Sequence, residues 1–346
     1  MKKFYTKYIQ ISKKLQTDST KINTINRLFW KGAFMLSSID SVLILNCLQE
    51  KERPQLPSFL YHLPQSWQQY YLLRYQPWRK TDESTYCLQT DRENCFRQPW
   101  REKAAQLLQT AQENGAKIVI SPLAADLPQG ILPFATGRHL TLLCCMQGAE
   151  EALRRKQIAK EQARFVLIDG GTEDTHLLLS LLPDWVNHFA LCTDHPVDFM
   201  DWQEDMLANR GLVTELFSSL GHQALKQAHV VLTLRRHSKS LVHTVASDAY
   251  VCMPYGNPAL LAALQQQRPD VAAVDGFFFS QNGTRIPCTQ AEAWAYCHIA
   301  PFALFHQTKS QTAAKNALLA FQEQDFCVCG FQSGTKTCKI AKKQSH

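Results

Sequence analysis

The sequence predicts an α/β protein in two parts: a smaller N-terminal α/β domain, then a domain built on a doubly wound parallel sheet, with C-terminal helices that return toward the first. From residue 164 onward, short apolar runs alternate with helix-like stretches, which is typical of a parallel sheet covered on both faces. The length of 346 residues also exceeds what a single hydrophobic core usually holds.

The first domain is predicted over residues 35–147. Three short apolar runs have strand length, and they are SVLILNCL (41–48), AKIVISP (116–122) and HLTLLCCM (139–146). A helix is expected from Pro99 to Gly115, because proline suits a first turn and glycine commonly ends a helix. Residues 148–163 are polar and helix-like, and we place the connection between the two domains there.

The second domain is predicted over residues 164–280. Its expected strands are RFVLID (164–169), HFALCTD (188–194), GLVTELF (211–217), HVVLTLR (229–235), DAYVCMP (248–254) and VAAVDGFFF (271–279). Helices are expected between them at 173–182, 197–210, 221–228 and 257–267. The returning helices are expected within 281–325, at 291–305 with a break at Pro301, and at 313–324.

This order of elements resembles two-domain dehydrogenases such as shikimate dehydrogenase and glutamyl-tRNA reductase, over roughly residues 100–325. The resemblance implies a Rossmann-like second domain and NAD(P) as the cofactor. The first domain shows no catalytic motif of these families, so no catalytic residue is predicted.

The segment FVLIDGGTEDTHLLL (165–179) occupies the place of a phosphate loop, between the first strand and the first helix of the second domain. A dinucleotide fold has G-x-G-x-x-G there. Asp169, Gly171 and Asp174 fall at the three glycine positions, so one glycine survives. With Glu173, these acids oppose a pyrophosphate at the positive end of the helix, and they are also ordinary helix-capping residues.

Candidate cofactor-binding residues follow the strands of the second domain, where such sheets bind ligands. They are Gly170, Gly171, Thr172, Asp194, Thr233 and Arg235. Asp194 closes the second strand about 20 residues after the loop, which is the position of a ribose-binding acid. Arg235, with Arg236 and Lys239, is either a site for a 2′-phosphate or acidic substrate or a solvated run of charge.

Three further polar residues have weaker claims. Asn257 either contacts a ligand or caps the helix that begins at Pro258. Asp275 either contacts a ligand or forms a turn with Gly276, and His298 is expected to be a satisfied, half-buried histidine.

Three functional hypotheses follow. The first is a nucleotide- or dinucleotide-binding protein of NAD(P)-oxidoreductase ancestry with a degenerate phosphate loop; if it is an enzyme, we expect an NAD(P)-dependent oxidoreductase. The second is a non-catalytic regulatory or scaffold protein with a Rossmann-like fold. The third is an S-adenosylmethionine-dependent methyltransferase that uses Asp169, Gly171 and Asp194. A pocket wide enough for a pyrophosphate favours the first, and a filled, acidic loop favours the second.

The formal charge of +7 is concentrated at the two ends of the chain. Residues 1–34 hold eight Lys or Arg against Asp18 alone, and residues 331–346 add four lysines and no acid. A nucleic-acid partner is therefore not expected, since the body lacks the basic excess of such domains. Neither a membrane helix of about 18 apolar residues nor a signal-peptide core is recognisable, so a cytoplasmic location and no membrane partner are predicted. The Rossmann-like resemblance implies a small-molecule nucleotide as a possible partner.

The basic leader, residues 1–34, has two explanations. Codons for Lys31, Gly32 and Ala33 can spell a ribosome-binding sequence, which suggests that translation starts at Met35. The alternative is a disordered or surface-binding arm.

The chain has twelve cysteines, and several lie in apolar runs, which predicts buried, reduced thiols. These are Cys47, Cys144, Cys145, Cys192 and Cys252. Near the C-terminus, Cys327, Cys329, Cys338 and His346 do not show the paired spacing of structural zinc sites. No metal site is predicted, and residues 326–346 are expected to form a loosely ordered basic tail.

Overall fold

A computed structural model describes most of the chain from residue 116 onward and isolated segments before it. The described residues are 42–47, 79–80, 85–90, 105, 108–109, 111–113, 116–121, 127–171, 173–218, 221–235, 241–334, 336–338 and 340. The chain divides into two compact units, Met1–Ser38 and Ile39–His346, and every described residue belongs to the second. The predicted leader and Met35 lie outside the described residues.

The first sheet has four strands in the order β2-β3-β1-β4. They are β1 (Val42–Cys47), β2 (Arg79–Lys80), β3 (Thr85–Thr90) and β4 (Ile118–Ile120). β1 pairs in parallel with β3 and with β4, whereas β2 runs antiparallel to β3. The strands predicted at 41–48 and 116–122 are confirmed, and residues 105, 108–109 and 111–113 of the predicted helix between them are helical.

The second sheet is parallel throughout and has six strands. They are β5 (Arg164–Ile168), β6 (His188–Cys192), β7 (Thr214–Phe217), β8 (Val230–Thr233), β9 (Tyr250–Cys252) and β10 (Ala272–Val274). Their order is β10-β9-β8-β5-β6-β7. Counted from β5 as the first strand, this is the 3-2-1-4-5-6 order of the dinucleotide-binding fold, so the predicted doubly wound, Rossmann-like fold class is confirmed.

Ten helices with defined bounds occur in the described part of the chain. They are α1 (Arg138–Leu143), α2 (Cys145–Lys156), α3 (Glu173–Ser180), α4 (Met200–Arg210), α5 (His222–Gln227), α6 (Leu241–Thr244), α7 (Pro258–Gln267), α8 (Cys288–His298), α9 (Ala300–Thr308) and α10 (Gln311–Gln322). Among these described helices, none has the length and apolar composition of a membrane span.

Alternate residues of β5 belong to two separate cores, one on each face of the parallel sheet. Phe165 and Leu167 join the larger core, with residues of α1, α2, α3 and the closing helices. Val166 and Ile168 join the smaller core, with residues of α5, α6 and α7. Because successive side chains of a strand point to opposite faces, a strand covered on both sides reads as a continuous apolar run.

The prediction of a strand at 139–146 is wrong. This segment forms α1 and the start of α2, whose residues Leu140, Leu142, Leu143 and Cys145 are buried. A helix that is buried on all sides and a buried strand both appear as short apolar runs, so periodicity does not separate them. The predicted connector at 148–163 consists of the rest of α2 and a 3₁₀ turn at Lys160–Gln162.

A third sheet, antiparallel, was not expected. It contains β11 (Gly276–Gln281), β12 (Thr284–Pro287), β13 (Cys327–Ser333) and β14 (Lys336–Cys338) in the order β12-β11-β13-β14. The strand predicted at 271–279 is therefore two strands of different sheets, β10 and β11, separated at Asp275. The prediction of a loose tail is also wrong for residues 327–334 and 336–338, because Phe331 of β13 packs in the core beside Phe277 of β11.

The returning helices are confirmed, with a break at Ile299 that places Pro301 in the first turn of α9. α8 contacts α1 and β4, and α10 contacts α3, so these helices link the first sheet and the parallel sheet.

Candidate functional site

The parallel sheet changes direction of winding between β5 and β8, with β6 on the other side of β5. Ligands of doubly wound sheets bind outside the carboxyl ends of the strands at this switch point. The segments that follow β5, β6 and β8 meet there. These segments, together with Thr233 at the end of β8, contain the six predicted ligand residues, of which Thr172 lies outside the described part of the chain.

Asp169, directly after β5, is at the centre of a hydrogen-bond network. Its side chain is buried, and Oδ1 accepts bonds from the Gly171 amide at 2.8 Å and from Thr175 Oγ1 at 2.6 Å. Oδ2 accepts a bond from Thr193 Oγ1 at 2.7 Å. One carboxylate thus connects the loop, α3 and the end of β6. The Gly171 amide, which would face a pyrophosphate in a dinucleotide fold, already has an acceptor within the chain.

Gly170 lies directly against the segment that follows β8. A Cβ atom added to Gly170 would be 2.9 Å from the Leu234 Cβ and 2.9 Å from the Leu234 carbonyl oxygen. Leu234 also donates its amide to the Ile168 carbonyl at 3.1 Å, which extends the pairing of β8 with β5 beyond the strands. The loop is therefore closed against β8, and glycine is required at 170 by the close approach of backbone.

Two predicted ligands, Asp194 and Arg235, form an ion pair with each other across the end of β5. The Asp194 side chain is 56% exposed and that of Arg235 is 33% exposed, so both remain accessible from solvent. Thr233, the last residue of β8, is 3% exposed, and its hydroxyl has no hydrogen-bond partner. Among the predicted ligand residues that the structure describes, these three have polar groups that are not bonded within the Asp169 network.

The other two acids of the loop segment belong to the start of α3. Glu173 is exposed and Asp174 is half-buried, and both lie in the first turn of α3. A carboxylate in the first turn stabilises a helix through its dipole, so these residues support α3 as they stand.

Asn257 and His298 have structural roles. The Asn257 side chain accepts a bond from the Leu260 amide at 3.1 Å, which is the capping arrangement considered for it. His298 is exposed and packs its ring against Trp294, with ring centroids 5.1 Å apart, so the expected half-burial is corrected. Arg236 and Lys239 lie outside the described residues.

Asp275 joins the parallel sheet to the antiparallel one. Its Oδ1 accepts a bond from the Gly334 amide at 2.9 Å, and its own amide donates to the Gln332 carbonyl. Burial raises the pKa of the Asp275 carboxyl, and the bond from Gly334 opposes that rise. This residue fits the structural turn rather than a ligand contact.

The raised pKa of Asp275 leads to a prediction for Asp275→Asn. The folded chain binds the proton of Asp275 more tightly than the unfolded chain does, so the protonated carboxyl contributes to the free energy of unfolding. This contribution is full below pH 3.8, the ordinary aspartate pKa, and is lost as the pH rises through the raised pKa of the folded chain. Asparagine keeps an acceptor for Gly334 without the buried charge. Thermal melts should show the variant more stable than the parent at neutral pH, and the two equal in acid.

Asp270→Asn is the matched control for that prediction. A hydrogen bond from Arg268 lowers the pKa of Asp270, so here the ionised form is favoured by folding. We expect this variant to be less stable than the parent at neutral pH. An Asp275→Asn variant that loses stability at neutral pH in the same way would contradict the assignment.

The described cysteines are free thiols, and most are buried, as predicted for Cys144, Cys145, Cys192 and Cys252. Burial raises the pKa of Cys192 and of Cys252 to about 12, so both stay protonated. The side chain of Cys47 is not described. Cys327, Cys329 and Cys338 lie on β13 and β14, and His346 is outside the described residues.

A second polar cluster, which the sequence did not predict, contains His139 of α1, Glu292 of α8 and His306 of α9. Nδ1 of His139 lies 3.7 Å from Oε1 of Glu292, and the rings of the two histidines are 4.1 Å apart. Glu292 is completely buried. No motif reveals this cluster, because more than 150 residues separate His139 from the other two in the sequence.

No known family matches this chain by sequence, and no curated protein does. Similar solved structures include an aspartate transcarbamoylase of Trypanosoma cruzi, with 12% identity, a TM-score of 0.34, and coverage of 81% of this chain and 83% of that one. An NAD-dependent malic enzyme of Thermotoga maritima has 10% identity, a TM-score of 0.32, and coverage of 88% and 89%. A shikimate 5-dehydrogenase of Listeria monocytogenes has 10% identity, a TM-score of 0.31, and coverage of 80% and 96%.

Shikimate dehydrogenase is one of the two families that the order of elements suggested. At these identities and TM-scores the likeness is one of architecture, and it carries no conclusion about activity.

Proposed function

We propose that this chain is a Rossmann-fold protein of dehydrogenase ancestry that acts as a non-catalytic regulatory or scaffold protein, and that its loop does not bind a dinucleotide. The ancestry is inferred from the 3-2-1-4-5-6 strand order. The observation that carries the proposal is the buried Asp169 carboxylate, which takes the loop amide of Gly171 and the hydroxyls of Thr175 and Thr193.

Charge at the loop supports the same conclusion. A pyrophosphate at the start of α3 would face Asp169, Glu173 and Asp174, and each pair of like charges about 5 Å apart costs roughly 1 to 3 kcal/mol, depending on the local dielectric. Dinucleotide folds instead present free amides and the positive end of the helix to the phosphates. In this chain the acids already occupy that end.

Space at the loop supports it as well. The second glycine of a dinucleotide loop lets the pyrophosphate approach the backbone, and Gly171 retains the required freedom with a φ of 68°. Gly170, however, is packed against the Leu234 backbone, so the loop and the end of β8 are already in contact where a ligand would enter.

The proposal is tested by thermal melts of the tag-free chain with NAD, NADH, NADP and NADPH at millimolar concentration. A ligand present at about 100 times its dissociation constant adds roughly 2.7 kcal/mol of stability, which is a readable shift. We expect no shift with any of the four, while an active shikimate dehydrogenase run in parallel shows that the assay detects binding. A reproducible shift with any dinucleotide would overturn the proposal.

A second candidate is binding of a nucleoside-type ligand that leaves the phosphate loop empty. It is favoured by Asp194, which is exposed at the ribose-binding position. The buried hydroxyl of Thr233, which has no hydrogen-bond partner at the end of β8, also favours it. The ribose hydroxyls of such a ligand would share Asp194 with Arg235. S-adenosylmethionine belongs to this class, so the methyltransferase hypothesis stays a prediction within it.

Melts with adenosine and S-adenosylmethionine separate the two candidates. The second candidate predicts a shift that Asp194→Asn removes and that Asp198→Asn, a neighbouring exposed acid, leaves in place. The regulatory or scaffold proposal predicts no shift with either ligand.

A further inference from the structure

The cluster of His139, Glu292 and His306 joins α1 to two consecutive helices, α8 and α9, that lie far from it in the sequence. Their ligand atoms, one from each side chain, lie within 4.8 Å of one another. The cluster lies where α8 packs against α1, and where α9 follows α8 after the break at Ile299.

Each of the two histidines has a buried nitrogen without a hydrogen-bond partner. Nδ1 of His139 and Nε2 of His306 are inaccessible to solvent and form no hydrogen bond. A buried polar atom without a partner is costly, and native proteins contain few of them. Two such atoms beside one buried carboxylate therefore indicate a group that the protein atoms alone do not supply.

The His306 ring packs against two other rings. Its centroid lies 4.1 Å from that of His139 and 5.1 Å from that of Tyr296. Neighbouring groups that orient the ring are usual for a histidine that ligates a metal.

Glu292 supplies negative charge in the same place. Its Oε1 accepts the Thr136 amide and its Oε2 accepts the Leu140 amide, each at 3.0 Å, so the carboxylate is oriented and still has unused lone pairs. A buried carboxylate is stabilised by a cation beside it. A divalent cation would compensate the charge and give partners to both histidine nitrogens.

We propose that His139, Glu292 and His306 bind one divalent transition-metal ion, with zinc as the best fit, and that this ion holds α1, α8 and α9 together. Two imidazoles and a carboxylate are a ligand set that zinc uses with water in the fourth position, and the nitrogen donors disfavour magnesium and calcium. Tetrahedral zinc places its ligands about 3.4 Å apart, so small side-chain rotations close the site on binding. The inference does not depend on the proposed function.

The tag-free, full-length chain is stripped with a chelator, dialysed, and titrated with Co²⁺ and with Zn²⁺. We expect one equivalent of Co²⁺ to bind with visible ligand-field bands and without the near-ultraviolet charge-transfer band that thiolate ligands produce. Zn²⁺ should compete for the same site and raise the melting temperature. The Co²⁺ spectrum identifies the type of ligand in the parent protein, so this test does not depend on the folding of any variant.

Variants assign the ligands. His306→Phe and His139→Phe keep a ring in the packed helices and remove the ligating nitrogen, and each should weaken Co²⁺ binding by more than about 100-fold, the upper range for loss of a group that merely supports a ligand. His298→Phe, an exposed histidine of α8 outside the cluster, is the matched control and should bind as the parent does.

Three results would overturn the proposal: no stoichiometric Co²⁺ binding by the parent; binding unchanged in a folded His306→Phe variant; or a thiolate band that disappears when Cys327, Cys329 and Cys338 are changed to serine. The last would assign the metal to the cysteines of β13 and β14.

Discussion

Asp169→Ala is expected to lower the free energy of unfolding by about 3 kcal/mol, because it removes the acceptor of three hydrogen bonds to a buried carboxylate, each worth roughly 1.5 to 3 kcal/mol and not additive. The Gly171 amide and the hydroxyls of Thr175 and Thr193 would lose this partner in one step. The effect should extend beyond the loop, since the network joins α3 to the ends of β5 and β6. Urea unfolding followed by circular dichroism measures it.

Asp194→Ala is the matched control, because it deletes the same side chain at the end of the neighbouring strand. Asp194 is 56% exposed and pairs only with Arg235 among the contacts described for it, so its loss should cost less than about 1 kcal/mol. Similar losses for the two variants would show that the Asp169 network does not stabilise the fold. A dinucleotide shift gained by Asp169→Ala would instead show that the network blocks a site that is otherwise intact.

Gly148→Ala is expected to destabilise the chain by about 2 kcal/mol, although alanine is the better helix former by roughly 1 kcal/mol. Gly148 lies within α2, and a Cβ atom there would be 2.5 Å from two ring atoms of Phe277, which is fully buried. The Tyr250 hydroxyl, at 3.1 Å, restricts the space further. Overpacking of this kind forces either α2 or β11 to move. Thermal and urea unfolding both measure the loss.

A double variant tests the cause of that loss. Phe277→Leu removes the ring atoms that the new methyl group would meet, so Gly148→Ala should cost much less in the Phe277→Leu background than in the parent. The coupling between the two positions should reach at least 1 kcal/mol, as contacting residues commonly show. Strict additivity would mean that the glycine is needed for another reason.

Much of the second domain was predictable from sequence because its signals are local. The β5 segment RFVLI is apolar at nearly every position, since it is buried on both faces, and its length identifies a strand. Gly211 ends α4 in a left-handed conformation, and Asn257 with Pro258 begins α7. Such features depend on residues within one turn of each other. The six strands therefore emerged in the right sequence, and the doubly wound class followed from their alternation with helices.

Pairing partners distant in sequence were not predictable in the same way. The tail was predicted to be loosely ordered because the place of β13 in a sheet depends on its pairing with β11, about 50 residues earlier. The segment at 139–146 was predicted to be a strand because a helix that is buried on all sides has no polar face, so its sequence does not show the 3.6-residue period of a helix.

By itself, the sequence determined the class of fold, the strands that end at the candidate site, and the acidic character of the loop. Only the tertiary structure decided what those residues do. Asp169 turns inward to Thr193, Gly170 meets Leu234, and Asp194 pairs with Arg235. The cluster of His139, Glu292 and His306 likewise exists only because three helices meet. The physical reason is the same in each case. The sequence states the chemical type of each side chain directly, whereas the distance between two side chains is set by the packing of elements that lie far apart along the chain.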